Sequence, residues 1–276
     1  MNLCKQITGT TSRIERRRCN RRRTGGVVHA PRPVWNFLEK DGDAMGIRDI
    51  WCFTDFTGGI MDVSFCEKFR EIYQNLIDTK TMFAKSVELL IKSEEWFEFE
   101  EVYRPIVVKG NTTITTQGEF ISKKGTYFDE HKIYFYKYRM GTEPQNSGAI
   151  QESVVYEEVF HAAQYLHYKQ AGKEVTNIEK EVEVRLAKIK ENIQDTYTKK
   201  YEQIGLLVEY LNGKEFSLAE KQVLQSIILD LGRDIYTAYK ESWKVEGKSE
   251  EFINKNNPDG INFQFDFLKS LNPNIK

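Results

Sequence analysis

Glu157, Glu158 and His161 lie within five residues of one another in the run Val154 to Tyr168, VVYEEVFHAAQYLHY. At 3.6 residues per turn, positions three and four apart share a helix face, so two carboxylates and an imidazole line up along one side. Such a set can hold a divalent cation or pass protons. A bound Zn²⁺ would lower the pKa of its water to about 7, and a nearby carboxylate could take that proton. The flanking Val154, Val155, Val159, Phe160, Ala162, Ala163 and Leu166 are apolar nearly all round, which predicts a helix buried on most sides. Buried carboxylates beside a histidine need a partner, and a metal supplies one. The plainer alternative is a solvated Glu157–His161 pair at i, i+4, worth about 0.2–0.5 kcal/mol.

A second carboxylate group follows in Asn177 to Arg185, NIEKEVEVR. Ile178, Val182, Leu186, Ile189 and Ile193 form its apolar stripe. Glu179 sits on the border of that stripe and is the carboxylate best aimed at the neighbouring helix. Glu181 and Glu183 project about 100° away and read as solvated.

The run Glu157-Glu-Val-Phe-His161, with Ala-Ala-Gln after it, resembles the HExxH helix of zinc metallopeptidases. The 177–183 segment resembles the second helix of their gluzincin branch, which supplies a glutamate ligand. The resemblance covers about residues 112–195 and implies a zincin-like fold with an edge strand beside the active helix. It implies Glu158 as general base, His161 as second ligand, Glu179 as third, and a peptide or protein substrate. Glu157 stands where the first ligand histidine would be. An E/H/E donor set is harder and more anionic than His₂Glu, and would take zinc, Mn²⁺, Fe²⁺ or no metal. His167 falls at the third-ligand position of the metzincin pattern, but that pattern needs a glycine where Gln164 stands. Glu158-Val-Phe-His161 is also a carboxylate di-iron motif, which would have to recur on a second helix and does not.

Other motifs carry less. Gly58-Gly59 is no phosphate loop, and no serine or cysteine sits in a nucleophile motif. His29 and His131 stand alone and read as surface or turn residues. The aromatic residues at 127–138 are explained as strand core.

Elements that would position the site can be traced along the chain. Helical spacing marks 64–78 and 80–94. Strand-like runs at 97–108, 112–121 and 131–139, with Gly110-Asn111 as a turn, predict a small antiparallel sheet. A helix over 150–171 ends near Gly172, and another over 177–210 ends near Asn212-Gly213. Ser217 and Glu220 make a capping box that opens a third. Phe263, Phe265 and Phe267 alternate with polar residues, as in an extended segment. The order predicts an α+β fold, a small antiparallel sheet packed on helices with a helical C-terminal half.

Aromatic residues are 13% of the 276 and hydrophobic residues 40%, enough for a core over a single domain at 34–276. Residues 1–33 read as a flexible basic tail: residues 1–26 carry eight basic residues against Glu15 alone, while the remainder carries 32 basic and 40 acidic. That arm could meet an anionic partner, nucleic acid among them. No run reaches the roughly 20 apolar residues of a membrane span, and no secretory signal is read, so no membrane partner and a cytoplasmic location are expected. Cys4, Cys19, Cys52 and Cys66 have no paired spacing and are read as reduced thiols without function.

The leading expectation is a metal-dependent peptidase-like protein with a degenerate site, active or inactive. The alternatives are a binding or scaffold protein on the same fold, or a nucleic-acid tether acting through the Arg-rich arm.

Overall fold

The computed structural model describes residues 63–275, apart from 94, 96, 106, 110–111, 115–116, 125–128, 141–142 and 145–149. The basic tail expected at 1–33, the first part of the domain and Gly58-Gly59 lie outside the described residues. No described helix is long and apolar enough to cross a membrane.

Two helices open the described chain, α1 (Val63–Thr79) and α2 (Thr81–Lys92). The strands β1 (Phe97–Pro105), β2 (Val107–Lys109), β3 (Thr112–Ile114), β4 (Gly118–Lys123), β5 (Glu130–Met140) and β6 (Glu143–Pro144) follow. Helices then run to the end: α3 (Glu152–Ala171), α4 (Asn177–Glu191), α5 (Thr198–Tyr201), α6 (Gly205–Leu211), α7 (Leu218–Val245), α8 (Glu250–Lys255) and α9 (Asp266–Leu271). The class is α+β, with the C-terminal half helical.

The sheet is mixed. β4 pairs antiparallel with β5, as expected, in the register Phe120↔Ile133 and Ser122↔His131. β1 instead runs parallel to β5, Phe99 facing Ile133, and β2 and β3 form a separate antiparallel ribbon. The expected 112–121 strand is therefore two strands in two sheets. Among the described residues β4 is an edge.

One face of the sheet packs on α1, α2 and α3 through Phe69, Phe83, Phe99, Phe135 and Tyr156. Phe99 and Phe135 stack with ring centres 6.3 Å apart. α3 is central: Val155, Tyr156, Val159, Phe160, Ala162, Ala163 and Leu166 are all fully buried. It stops at Gly172, whose φ of +61° an L side chain rarely adopts. The helix expected over 177–210 breaks at Asn192, also left-handed, where Ile193 N bonds back to Lys188 O. Asp195 Oδ1 then accepts from Tyr197 N and Thr198 N and turns the chain into α5. Ser217 and Glu220 do form the capping box of α7. The three phenylalanines near the end form no strand: Phe265 is left-handed and leads into α9, with Phe267 buried against Phe160.

Candidate functional site

A five-residue connection, 172–176, folds α4 back along α3. Thr176 Oγ1 caps α4 by accepting from Glu179 N. Side-chain contacts run His161 to Glu181, Glu157 to Lys188 and Tyr156 to Glu191, as antiparallel neighbours require. Because the middle of α3 is buried nearly all round, its polar groups there find partners on neighbouring elements or face a cavity.

Glu157 meets two cations. Its carboxylate lies 2.5 Å from Arg185 Nη1 and 2.5 Å from Lys188 Nζ. Lys188 also reaches Asp195 at 3.0 Å, and Arg185 lies 3.5 Å from Glu181. Arg185 Nε and Nη1 make no well-directed hydrogen bond, so its hold on Glu157 is chiefly one of charge. Burial pushes the Glu157 carboxyl up, and Arg185 and then Lys188 more than reverse this, holding it well below the ordinary carboxylate value.

His161 is fixed at both ring nitrogens. Nδ1 donates to Gln164 Oε1 at 2.7 Å, and Nε2 lies 3.4 Å from Glu181 Oε1. Burial opposes its protonation, but Glu181, Glu158 and Glu157 outweigh burial and raise its pKa to about 9. Glu181 also accepts from Tyr239 Oη of α7 at 3.3 Å.

Glu158 differs from its neighbours. It is 5% exposed, and no described residue gives it a hydrogen bond or an ion pair. Burial first, with Glu157 and Glu181 adding to it against the opposing charge of His161, raises its pKa to about 8. It packs against the edge strand at Gly118, where a Cβ would lie 2.7 Å from Glu158 Cγ and Oε1. A cavity of about 840 Å³ opens here between β4, α3, α4 and α7, with Glu158, His161, Glu181 and Tyr239 in its wall.

The structure thus brings Glu157, Glu158 and His161 together and sets Glu179 apart. Glu179 is buried, and its Oε1 accepts from Gln264 N at 3.0 Å. Glu181 holds the place expected for Glu179. Glu183, expected in solvent, is fully buried and takes bonds from Gln164 Nε2 (2.6 Å), Tyr168 Oη (3.0 Å) and Leu268 N (2.7 Å). Both differences have one cause: α4 is covered by α7 and α9 as well as α3, so its apolar stripe does not mark its only buried side. Arg185, Lys188, Asp195, Tyr239 and Gly118 were not anticipated. The i, i+4 pair Glu181–Arg185 was the one available signal. His167 is remote from the site, against Phe267.

His131, expected at the surface, is 1% exposed. Its Nε2 lies 2.5 Å from Glu95, its Nδ1 lies 3.0 Å from Ser122 Oγ, and its ring stacks on Phe97. Glu95, Asp129 and His131 have a metal-like spacing, but Lys169 bridges the two acids at 3.1 and 2.9 Å.

Ligand atoms of Glu157, His161 and Glu181 also lie within 4.8 Å of one another. The donor set nevertheless does not fit a resident divalent ion. Glu157, the ligand in the place of the first histidine, is already held by a guanidinium and an ammonium. It faces both Arg185 and Lys188, and an added cation would sit beside positive charges already on the same carboxylate. No family model, curated protein or solved structure matches this chain.

Proposed function

We propose that this chain is a zincin-like protein without a working metal centre, whose cleft holds an extended peptide and does not cut it. The observation that carries the reading is the pair Arg185 and Lys188 on Glu157, the position of the absent first histidine. Their charges balance the carboxylates that a metal would otherwise balance. Burial favours the protonated form of Glu158, and Glu157 is already held by two cations, so a free metal-binding carboxylate and an ionised base do not stand together here. What remains suits binding: an edge strand at β4, which can pair with an added strand, beside a cavity walled by Tyr165, Tyr239 and Trp243.

A second reading has its own support. The spacing of Glu157, His161 and Glu181 would let zinc, Mn²⁺ or Fe²⁺ bind if Arg185 and Lys188 swung away, with Glu158 as base. Thermal unfolding with EDTA and with each ion, run beside mass spectrometry of a peptide pool incubated with the protein, separates the two. Unchanged melting and intact peptides are expected. Metal-dependent cleavage that disappears in both His161→Ala and Glu181→Ala would establish the second reading instead.

A further inference from the structure

Of the four basic residues in the wall of the cleft, three are already committed. His161 faces Glu181, Arg185 faces Glu157, Glu181 and Asp195, and Lys188 faces Glu157 and Asp195. Lys180 is the fourth. It is half-buried, and its Nζ makes no hydrogen bond or ion pair with any described residue. Asn177, one turn earlier on the same face of α4, also lines the cleft and is exposed there.

Resting on the reading of the cleft as a peptide site, we propose that Lys180 and Asn177 form a subsite for a carboxylate of the bound peptide.

Two costs converge on Lys180, and a carboxylate relieves both. An ammonium withdrawn from water without a partner is unfavourable, and burial holds Lys180 below the usual lysine pKa. Its place in the first turn of a 15-residue helix sets a positive charge at the positive end of the helix dipole. Glu181, the neighbouring acid, is engaged by His161, Arg185 and Tyr239. A carboxylate at Lys180 would gain a charge-assisted bond and the field of the helix end, and Asn177 could donate a second bond. The backbone N–H groups of this turn are not available to it: Asn177 N and Ile178 N donate to Asn256 Oδ1, and Glu179 N donates to Thr176 Oγ1. Recognition therefore falls to the side chains. The cleft's other acids leave room for such a ligand, since Glu119 accepts from Tyr136 Oη and Glu246 is exposed at the rim.

The carboxylate could be an acidic side chain or a peptide C-terminus. Four fluorescein-labelled hexapeptide pools distinguish these: fixed Glu with an amidated end, neutral with a free C-terminal carboxylate, neutral and amidated, and fixed Lys and amidated. Fluorescence polarisation on the full chain is expected to show one or both carboxylate pools binding about tenfold tighter than the neutral amidated pool. Lys180→Met should remove that preference and melt no lower than the parent, whereas Lys180→Arg should keep most of it. Binding of all four pools alike, or a preference untouched by Lys180→Met, would overturn the subsite and leave the peptide cleft standing. Binding of none would overturn the peptide cleft and the subsite with it.

Discussion

Glu157 carries its charge between Arg185 and Lys188, which are 5% and 1% exposed. Removing that carboxylate strands buried positive charge, a change that typically costs about 3–5 kcal/mol. Glu157→Gln should therefore lower stability by about that amount in urea unfolding, and a loss below about 1 kcal/mol would mean that the cations relax into solvent. Titration gives a second prediction at this scale. His161 is raised to about 9, so its contribution is fully present below its unfolded value of 6.5 and is lost as pH rises through about 9. Glu158, at about 8, and Glu183, at about 7, are carboxyls raised above their unfolded value of 4.5, so each loses stability as pH climbs from 4.5 through its folded value. Glu157 works in the opposite sense, and its stabilisation is lost as pH falls below 4.5. Melting temperature should peak at about pH 4 to 4.5 and decline steadily towards pH 9. Glu158→Gln should flatten that alkaline decline, and an unchanged slope would mean that Glu158 is ionised throughout.

The approach of β4 to α3 depends on Gly118, since any Cβ there meets Glu158. Gly118→Ala should cost about 1–3 kcal/mol in the parent and little in a Glu158→Ala background, a coupling that a double-mutant cycle reads directly. Equal costs in both backgrounds would place the strain elsewhere. Asn192 ends α4 at φ +57°, and Asn192→Ala should cost about 1 kcal/mol while Asn192→Gly is tolerated. How far each element could be read from sequence follows from the range of the forces involved. Gly172 and the Ser217/Glu220 box act within one turn, and both helix ends were legible. Strand pairing acts across the chain: the β-branched and aromatic runs marked strands, but nothing local set β1 parallel to β5 or divided 112–121 between two sheets. Asn192 was missed because asparagine is ordinary within a helix and only its dihedral angles mark the stop.

At the scale of the whole molecule, the site was half legible. One helix face carried Glu157, Glu158 and His161 by spacing alone. The choice between Glu179 and Glu181 depended on α7 and α9, which cover α4 from sides that its own apolar stripe does not reveal. Arg185 and Lys188 are buried because α3 lies against them, which nothing in their own segment marks. On the proposed reading these two cations occupy the electrostatic place of a metal, and metal content by mass spectrometry is the test that decides it. The parent, untagged and incubated with Zn²⁺ before desalting, should carry no stoichiometric metal, whereas Arg185→Gln/Lys188→Met should acquire it as the carboxylates lose their partners. About one zinc per parent chain, lost in His161→Ala, would contradict the account and restore a metal centre to the cleft.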